Sequence, residues 1–139
     1  MSGEPAIVIR FDGDQRIHRP AEPLAGEYWI ESLDAAQIKA IEFSVLWHTE
    51  GKGDEDMAVH EFCRRDADDD HSIDPRRPER FSTTLPDTPL SYDGQIVKVR
   101  WCVRVRVFPI RGKEIVNEKR FQLGDVPPVG IRTAAPEVS

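Results

Sequence analysis

The spacing that comes nearest to metal chemistry is in the acidic segment Asp66-Ala67-Asp68-Asp69-Asp70-His71-Ser72-Ile73-Asp74. Its oxygen-bearing side chains match positions one, three, five and nine of a calcium-binding loop, and Ile73 matches the apolar position eight. The match fails at His71, where the loop needs glycine, and at Arg77, where it needs a bidentate glutamate. Arginines on both sides also repel a divalent cation. We therefore predict no metal site, and keep calcium binding by a C2-type membrane-docking sandwich as the alternative.

No pattern of catalytic side chains is present in the sequence. The four histidines, His18, His48, His60 and His71, do not have a metal-binding spacing. There is no Gly-x-Ser-x-Gly nucleophile elbow, no phosphate-binding glycine loop and no dinucleotide fingerprint. We predict no catalytic residue and no cofactor. An enzyme whose groups meet only in three dimensions remains the weaker alternative, because such groups leave no trace in the sequence.

A basic stripe is the best candidate for a charged recognition surface, and it consists of Lys98, Arg100, Arg104 and Arg106. Alternate residues of a strand lie on the same face, so these cations point away from the apolar face and can bind an acidic peptide or a phosphate. The alternative, which we favour, is that they pair across strands with Glu114, Glu118 or Glu42.

The elements that position these residues are strands. From Ile96 to Phe108, valines and Trp101 alternate with cations, and from Ile38 to Thr49 an apolar face again alternates with a polar one. This pattern predicts that Trp101 is buried. Asp34 predicts a turn rather than a helix. Shorter candidate strands are 6–11, 15–18, 27–31, 57–63, 80–85 and 113–123. The sequence predicts an all-β, antiparallel, immunoglobulin-like sandwich of about seven to nine strands.

Composition and net charge limit the kinds of partner and the cellular compartment that we expect for this chain. The chain has 139 residues and a net charge of −6, which argues against nucleic acid as the main partner. No apolar run is long enough to span a membrane, and the N-terminus lacks the layout of a signal peptide, so we expect a cytoplasmic protein with no integral membrane segment. Cys63 and Cys102 are expected to be reduced and buried.

The chain divides into one domain with loose ends. Residues 1–5 are predicted to be flexible, residues 6–123 to form the sandwich, and residues 124–139 to form a flexible Pro-rich tail. The charged segment from Arg64 to Pro78 is predicted to be mobile, since it offers little apolar surface to offset the entropy of ordering it.

Several motifs together resemble the N-terminal sandwich of the arrestin superfamily. An early strand pair leads into Arg19-Pro20-Ala21-Glu22-Pro23-Leu24-Ala25-Gly26, which is similar to the family's Pro-Gly-Glu-x-hydrophobic-x-Gly turn, with Ala21 in place of glycine. Residues 81–85, followed by Pro86, Pro89, Ser91, Tyr92 and Gly94, resemble its Leu-Pro-x-Ser-x-x-Gly approach to a long strand. The resemblance covers roughly residues 6–123, and the chain has length for only one of the two usual domains.

The resemblance implies a non-enzymatic adaptor or scaffold that presents sheet edges and loops to proteins. It also places the first strand at a sheet edge. We therefore predict that this strand, through Ile7, Val8, Ile9 and Phe11, pairs with a strand from a second copy of the chain or from a client protein.

Overall fold

The computed structural model describes residues 3–51, 55–68 and 73–124, and these ranges form nine strands and two short 3₁₀ helices. The all-β class is confirmed. The strands are β1 (Ala6–Phe11), β2 (Ile17–His18), β3 (Pro23–Glu31), β4 (Ile38–Gly51), β5 (Met57–Asp66), β6 (Glu79–Thr84), β7 (Tyr92–Asp93), β8 (Val97–Pro109) and β9 (Ile115–Leu123).

Two sheets pack as a sandwich, as the sequence predicted. The smaller sheet has the order β1-β3-β6, and the larger has the order β2-β9-β8-β4-β5, with β7 pairing to β8. The pairings are antiparallel except that of β2 with β9, which is parallel. β1 therefore lies at an edge, as the resemblance to arrestins implied, and β5 and β6 are the edge strands on another side of the sandwich.

The core lies between the sheets and follows the period-two pattern of β8 and β4. Trp101 is 1% exposed, so its predicted burial is confirmed. Val103 and Val105 are fully buried and lie directly across from Val45 and Phe43 of β4. The cations of β8 point to the other face of the larger sheet, as a pleated strand requires.

The charged segment from Arg64 to Pro78 is more ordered than its composition indicated. β5 continues to Asp66, and Ile73 is only 7% exposed because it packs in the core. The backbone N–H of Ile30 donates to the carbonyl oxygen of Pro75 at 2.7 Å. The prediction of a mobile segment is therefore wrong for residues 64–68 and 73–78, since one buried isoleucine and main-chain hydrogen bonds offset the cost of ordering. Residues 69–72 lie outside the described residues.

Two smaller expectations concern the turn at Asp34 and the ends of the chain. Asp34 begins a single turn of 3₁₀ helix, Ala35–Gln37, in which the backbone N–H of Asp34 donates to the Gln37 side chain at 2.9 Å. The proposed flexible ends fall largely on residues 1–2 and 125–139, which lie outside the described residues. Among the described residues, no helix has the length and apolarity needed to cross a membrane.

The turn before β3 predicts a stabilising substitution at Ala21. The N–H of Glu22 donates to the carbonyl of Arg19 at 3.1 Å, and Ala21 has φ of 68°, a left-handed conformation that favours glycine in a turn with proline before it. We expect Ala21→Gly to raise the free energy of unfolding by about 0.5–1 kcal/mol in urea titration, since relief of strain outweighs the added chain entropy. Ala25→Gly, within β3, is the control and should lower it. A lower free energy of unfolding for both variants would contradict the left-handed conformation of Ala21.

Candidate functional site

The side chains of the predicted β1 surface are divided between core and solvent. Ile7, Ile9 and Phe11 are 6%, 6% and 1% exposed and belong to the core, while Val8 is half-buried on the opposite face. The other sheet comes close to this edge, since Asn117 Nδ2 of β9 donates to the carbonyl of Ile7 at 2.7 Å. Pairing through β1 stays a prediction, and it would use the strand's backbone and Val8.

Every cation of the predicted basic stripe has a carboxylate partner. The pairs are Lys98–Asp93 at 3.7 Å, Arg100–Glu50 at 3.4 Å, Arg104–Glu118 at 2.6 Å and Arg106–Glu114 at 3.2 Å. Glu42, which the sequence offered as a further partner, instead pairs with Arg64 at 2.7 Å. Cross-strand pairing of this kind is the favoured alternative of the sequence analysis. Ligand binding by the stripe stays a prediction without a geometric argument in its favour.

The acidic segment is only partly described. Asp66 accepts a hydrogen bond from Arg64 Nε at 3.1 Å, and Asp74 accepts one from the backbone N–H of Arg76 at 3.2 Å. The middle of the calcium-type loop, residues 69–72, lies outside the described residues. In the ranges 3–51, 55–68 and 73–124, no group of three or more histidine, cysteine, aspartate or glutamate side chains is placed to hold a metal ion.

The sequence predicted a strand at 57–63, but not that this strand, β5, lies at an open edge of the larger sheet. It is ten residues long and pairs with β4 on one side, while no strand of the described ranges pairs with its other side. Met57, Val59 and Phe62 are 57%, 49% and 53% exposed. We call these three side chains the β5 patch. A long, exposed and apolar edge strand is a template for a further strand.

The β5 patch continues onto an apolar row in the middle of the larger sheet. Val59 lies across from Leu46 of β4, and Leu46 lies across from Cys102 of β8. Leu46 is 1% exposed and Cys102 is fully buried, although both are on the face that points away from the core. A side chain placed beside Val59 or Phe62 would therefore meet an apolar surface rather than an ion pair.

The backbone of β5 directs its unpaired groups outward at the patch residues. The backbone N–H of Ala67 donates to the carbonyl oxygen of Lys39, so the backbone groups of the odd-numbered residues just before Ala67 point toward β4. The backbone groups of Phe62 and Arg64 therefore point away from β4. A β-bulge opposite Val45 and Leu46 shifts this alternation by one residue. The backbone groups of Val59 therefore also point away from β4. The patch side chains and the free backbone groups thus belong to the same residues.

A cleft of about 230 Å³ opens between the edges of β5 and β6. Its floor is aromatic: Tyr28 stacks on Phe43 with ring centroids 6.1 Å apart, and Phe43 lies 4.8 Å from Phe81. The rim consists of Glu61, Cys63 and Arg65 from β5 and Glu79, Arg80 and Ser82 from β6. These rim residues of β5 are those whose side chains point toward the smaller sheet.

Most charges around the cleft are paired internally. Arg65 binds Glu79 at 3.0 Å, and both guanidinium ends of Arg80 bind Asp12, at 2.6 and 2.7 Å. Glu61 accepts a hydrogen bond from Thr83 Oγ1 at 3.1 Å and, within the described part of the chain, has no ion pair. The cleft therefore combines an apolar aromatic floor with one carboxylate that lacks a cation.

The aromatic floor is electrically neutral at ordinary pH, and burial extends this neutrality to higher pH. Tyr28 is only 3% exposed, and burial raises the pKa of its hydroxyl to about 12, with Arg65 acting in the opposite direction. The phenol remains protonated throughout the physiological range. The floor thus offers ring faces and one hydroxyl, but no charge.

The comparisons with known proteins concern the fold. The chain is similar to Spo0M. The crystal structure of Spo0M, a sporulation control protein from Bacillus subtilis, matches with a TM-score of 0.59 and 16% sequence identity. The match covers 88% of this chain and 50% of the Spo0M chain, so this chain spans about half the length of the protein it matches. At such low identity the likeness to Spo0M shows a shared fold alone. No family model and no curated protein matches the sequence.

The sequence carried one signal for the β5 edge. Residues 57–63 lack the strict alternation of β8, because Met57, Val59 and Phe62 follow a step of two and then a step of three. Such a break is typical of a bulge, and bulges are frequent at sheet edges.

The two thiols are predicted to differ strongly in reactivity. Cys63 is exposed at the cleft rim, which corrects the expectation that both cysteines are buried, and Cys102 is fully buried. Burial raises the pKa of the Cys102 thiol to about 11, and Glu118 adds to this effect. We expect Ellman's reagent to titrate one thiol in the native protein and two in guanidinium. Cys63→Ser should abolish the native reaction, whereas persistence of that reaction would contradict the assignment.

Proposed function

We propose that this chain is a non-enzymatic protein-interaction module, an adaptor or scaffold of arrestin-like type, that binds an extended segment of a partner protein along β5. The observation that carries the proposal is the open backbone edge of β5 beside the exposed patch of Met57, Val59 and Phe62. The fold that it shares with a control protein supports a regulatory rather than a catalytic role. Two unpaired cysteines fit a reducing compartment such as the cytoplasm.

Binding would proceed by addition of a strand to the larger sheet. Main-chain hydrogen bonds to the outward groups of Phe62 and Arg64 would supply affinity that depends little on sequence, and alternate side chains would supply specificity. One set of side chains would lie on the β5 patch. β5 is favoured over β1 because the exposed β5 patch lies along its open edge, whereas Ile7, Ile9 and Phe11 of β1 are buried in the core.

The experiment is selection of binders from a phage-displayed library of random dodecapeptides, followed by affinity measurements on synthetic copies. We expect the peptides to bind as strands, so N-methylation of successive residues should weaken binding at every second position. Val59→Asp should weaken binding about tenfold or more by placing a charge against the docked apolar side chains.

A matched control is Val116→Asp, on the same face of the larger sheet but on β9. It is 42% exposed, close to the 49% of Val59, and should leave binding unchanged. Val8→Pro removes a backbone donor of β1 and tests the alternative edge. Peptides that are lost with Val8→Pro and kept with Val59→Asp would move the site to β1. If neither Val8→Pro nor Val59→Asp weakens the binding of any selected peptide, both edges are excluded as the binding site.

A further inference from the structure

We propose that the segment bound along β5 carries a lysine or arginine whose side chain enters the cleft between β5 and β6 and pairs with Glu61. This inference rests on the proposed function, because it names the chemistry of the segment that the β5 edge binds. The ligand would be a basic, extended segment with apolar residues on either side of the cation.

The geometry of a sheet determines which side chain enters the cleft. Residues of an added strand that lie opposite Glu61 and Cys63 point to the same face as those side chains, toward the smaller sheet. The cleft of about 230 Å³ is on that face. The neighbouring residues of the added strand point the other way, onto Val59 and Phe62, so one inward residue alternates with two outward apolar ones.

The internal ion pairs decide the charge of the inward residue. Glu79 is neutralised by Arg65, and Arg80 is held by Asp12 on the far side of β6. The carboxylate of Glu61 has only the hydroxyl of Thr83 as a partner among the described side chains. A ligand that covers the cleft removes water from this carboxylate, which is costly unless a cation replaces the water.

The floor of the cleft suits the stem of a basic side chain. Lysine and arginine carry three or four methylene groups that pack on apolar surface while the charged end remains polar. The rings of Tyr28, Phe43 and Phe81 present such a surface below Glu61, and cations are attracted to ring faces. The net charge of −6 attracts a basic segment over longer distances. An apolar residue would fill the floor but leave Glu61 without a partner.

The test uses the peptides selected from the dodecapeptide library. Their sequences should share a lysine or arginine flanked at alternate positions by apolar residues. Replacement of that cation by norleucine, which keeps the stem and removes the charge, should weaken binding to the wild-type protein about tenfold. The same replacement should have almost no effect on binding to Glu61→Gln.

Charge reversal provides the stricter comparison. Glu61→Lys should abolish binding of the basic peptide and restore binding of a peptide in which the cation is replaced by glutamate. Glu114→Gln changes the net charge by the same amount as Glu61→Gln, at a distance from the cleft, and should leave the affinity unchanged. Circular dichroism and urea titration of each variant would show whether the fold is retained.

The outcomes separate the two proposals. Peptides that need the β5 patch but bind equally well with norleucine, or equally well to Glu61→Gln, would overturn the basic ligand and leave edge binding intact. Absence of any β5-dependent peptide would overturn both proposals. A dimer in light scattering that Phe62→Asp dissociates would assign the edge to a second copy of the chain and overturn the basic segment as its occupant.

Discussion

We expect Trp101→Ala to lower the free energy of unfolding by about 3–5 kcal/mol, the range seen when a large aromatic side chain is removed from a packed core. Trp101 is 1% exposed in the middle of β8, and its ring lies 5.8 Å from that of Phe121. Its indole Nε1 donates to the carbonyl oxygen of Pro89 at 2.7 Å. The substitution therefore leaves a cavity and an unpaired carbonyl group at the same place.

Urea titration monitored by circular dichroism measures this change. Trp29→Ala is the matched control, because Trp29 is half-buried on the outer side of β3, where Arg10 lies 5.0 Å from its ring centroid and Glu31 accepts from its indole. We expect it to cost about 1 kcal/mol, mainly from the exposed cation–π contact. A cost under about 1 kcal/mol for Trp101→Ala would contradict the assignment of the apolar face of β8 to the core.

The burial of Trp101 was predictable because one physical rule decides it. In β8 and β4 the apolar residues repeat every two positions, and only one arrangement buries all of them together. The all-β class and the two-layer packing follow from several such strands separated by turn residues. The order of the strands in each sheet could not be predicted from this rule. An alternating pattern indicates that a strand has one buried face, but it does not indicate which strand lies beside it.

The candidate site escaped prediction because it is formed by residues far apart in the chain. Glu61 meets Thr83 across the gap between the two sheets, and the cleft floor adds Tyr28 from β3. No sequence motif indicates that these residues meet. The exposed edge of β5 is likewise a property of sheet order, and a strand of the same composition would be covered if another strand followed it in the sheet.

Charge composition led to a wrong expectation for residues 64–68 and 73–78, which include the end of β5. Their aspartates and arginines indicated a solvated, mobile linker, yet Arg65 binds Glu79 at 3.0 Å and Ile73 is anchored in the core. An exposed ion pair contributes little by itself. A single buried isoleucine contributes more, about 1.5–3 kcal/mol, and its effect on a short segment cannot be seen in an average over the composition.

The last prediction concerns Gly26, the final glycine of the turn motif that resembles arrestins. Gly26 lies in β3 between β1 and β6, and a Cβ atom added there would be 2.8 Å from the Phe81 ring and 3.1 Å from the Cα atom of Phe11, with the carbonyl oxygen of Arg10 closer still. We expect Gly26→Ala to lower the free energy of unfolding by about 3 kcal/mol, at the upper end of the cost of overpacking, because two of these neighbours are backbone atoms that cannot move independently.

Two comparisons in urea titration test the cause. Gly3→Ala is the control, because its nearest neighbour is Ser32 Oγ at 3.8 Å, an ordinary contact, and it should change stability by less than about 0.5 kcal/mol. Phe81→Leu shortens the one flexible neighbour, so a double-mutant cycle should show favourable coupling with Gly26→Ala but incomplete rescue. Full rescue would mean that the clash with the Phe81 ring alone causes the loss of stability. A stability unchanged by Gly26→Ala would show that β1 does not approach β3 this closely, and the resemblance would lose its physical explanation at this glycine.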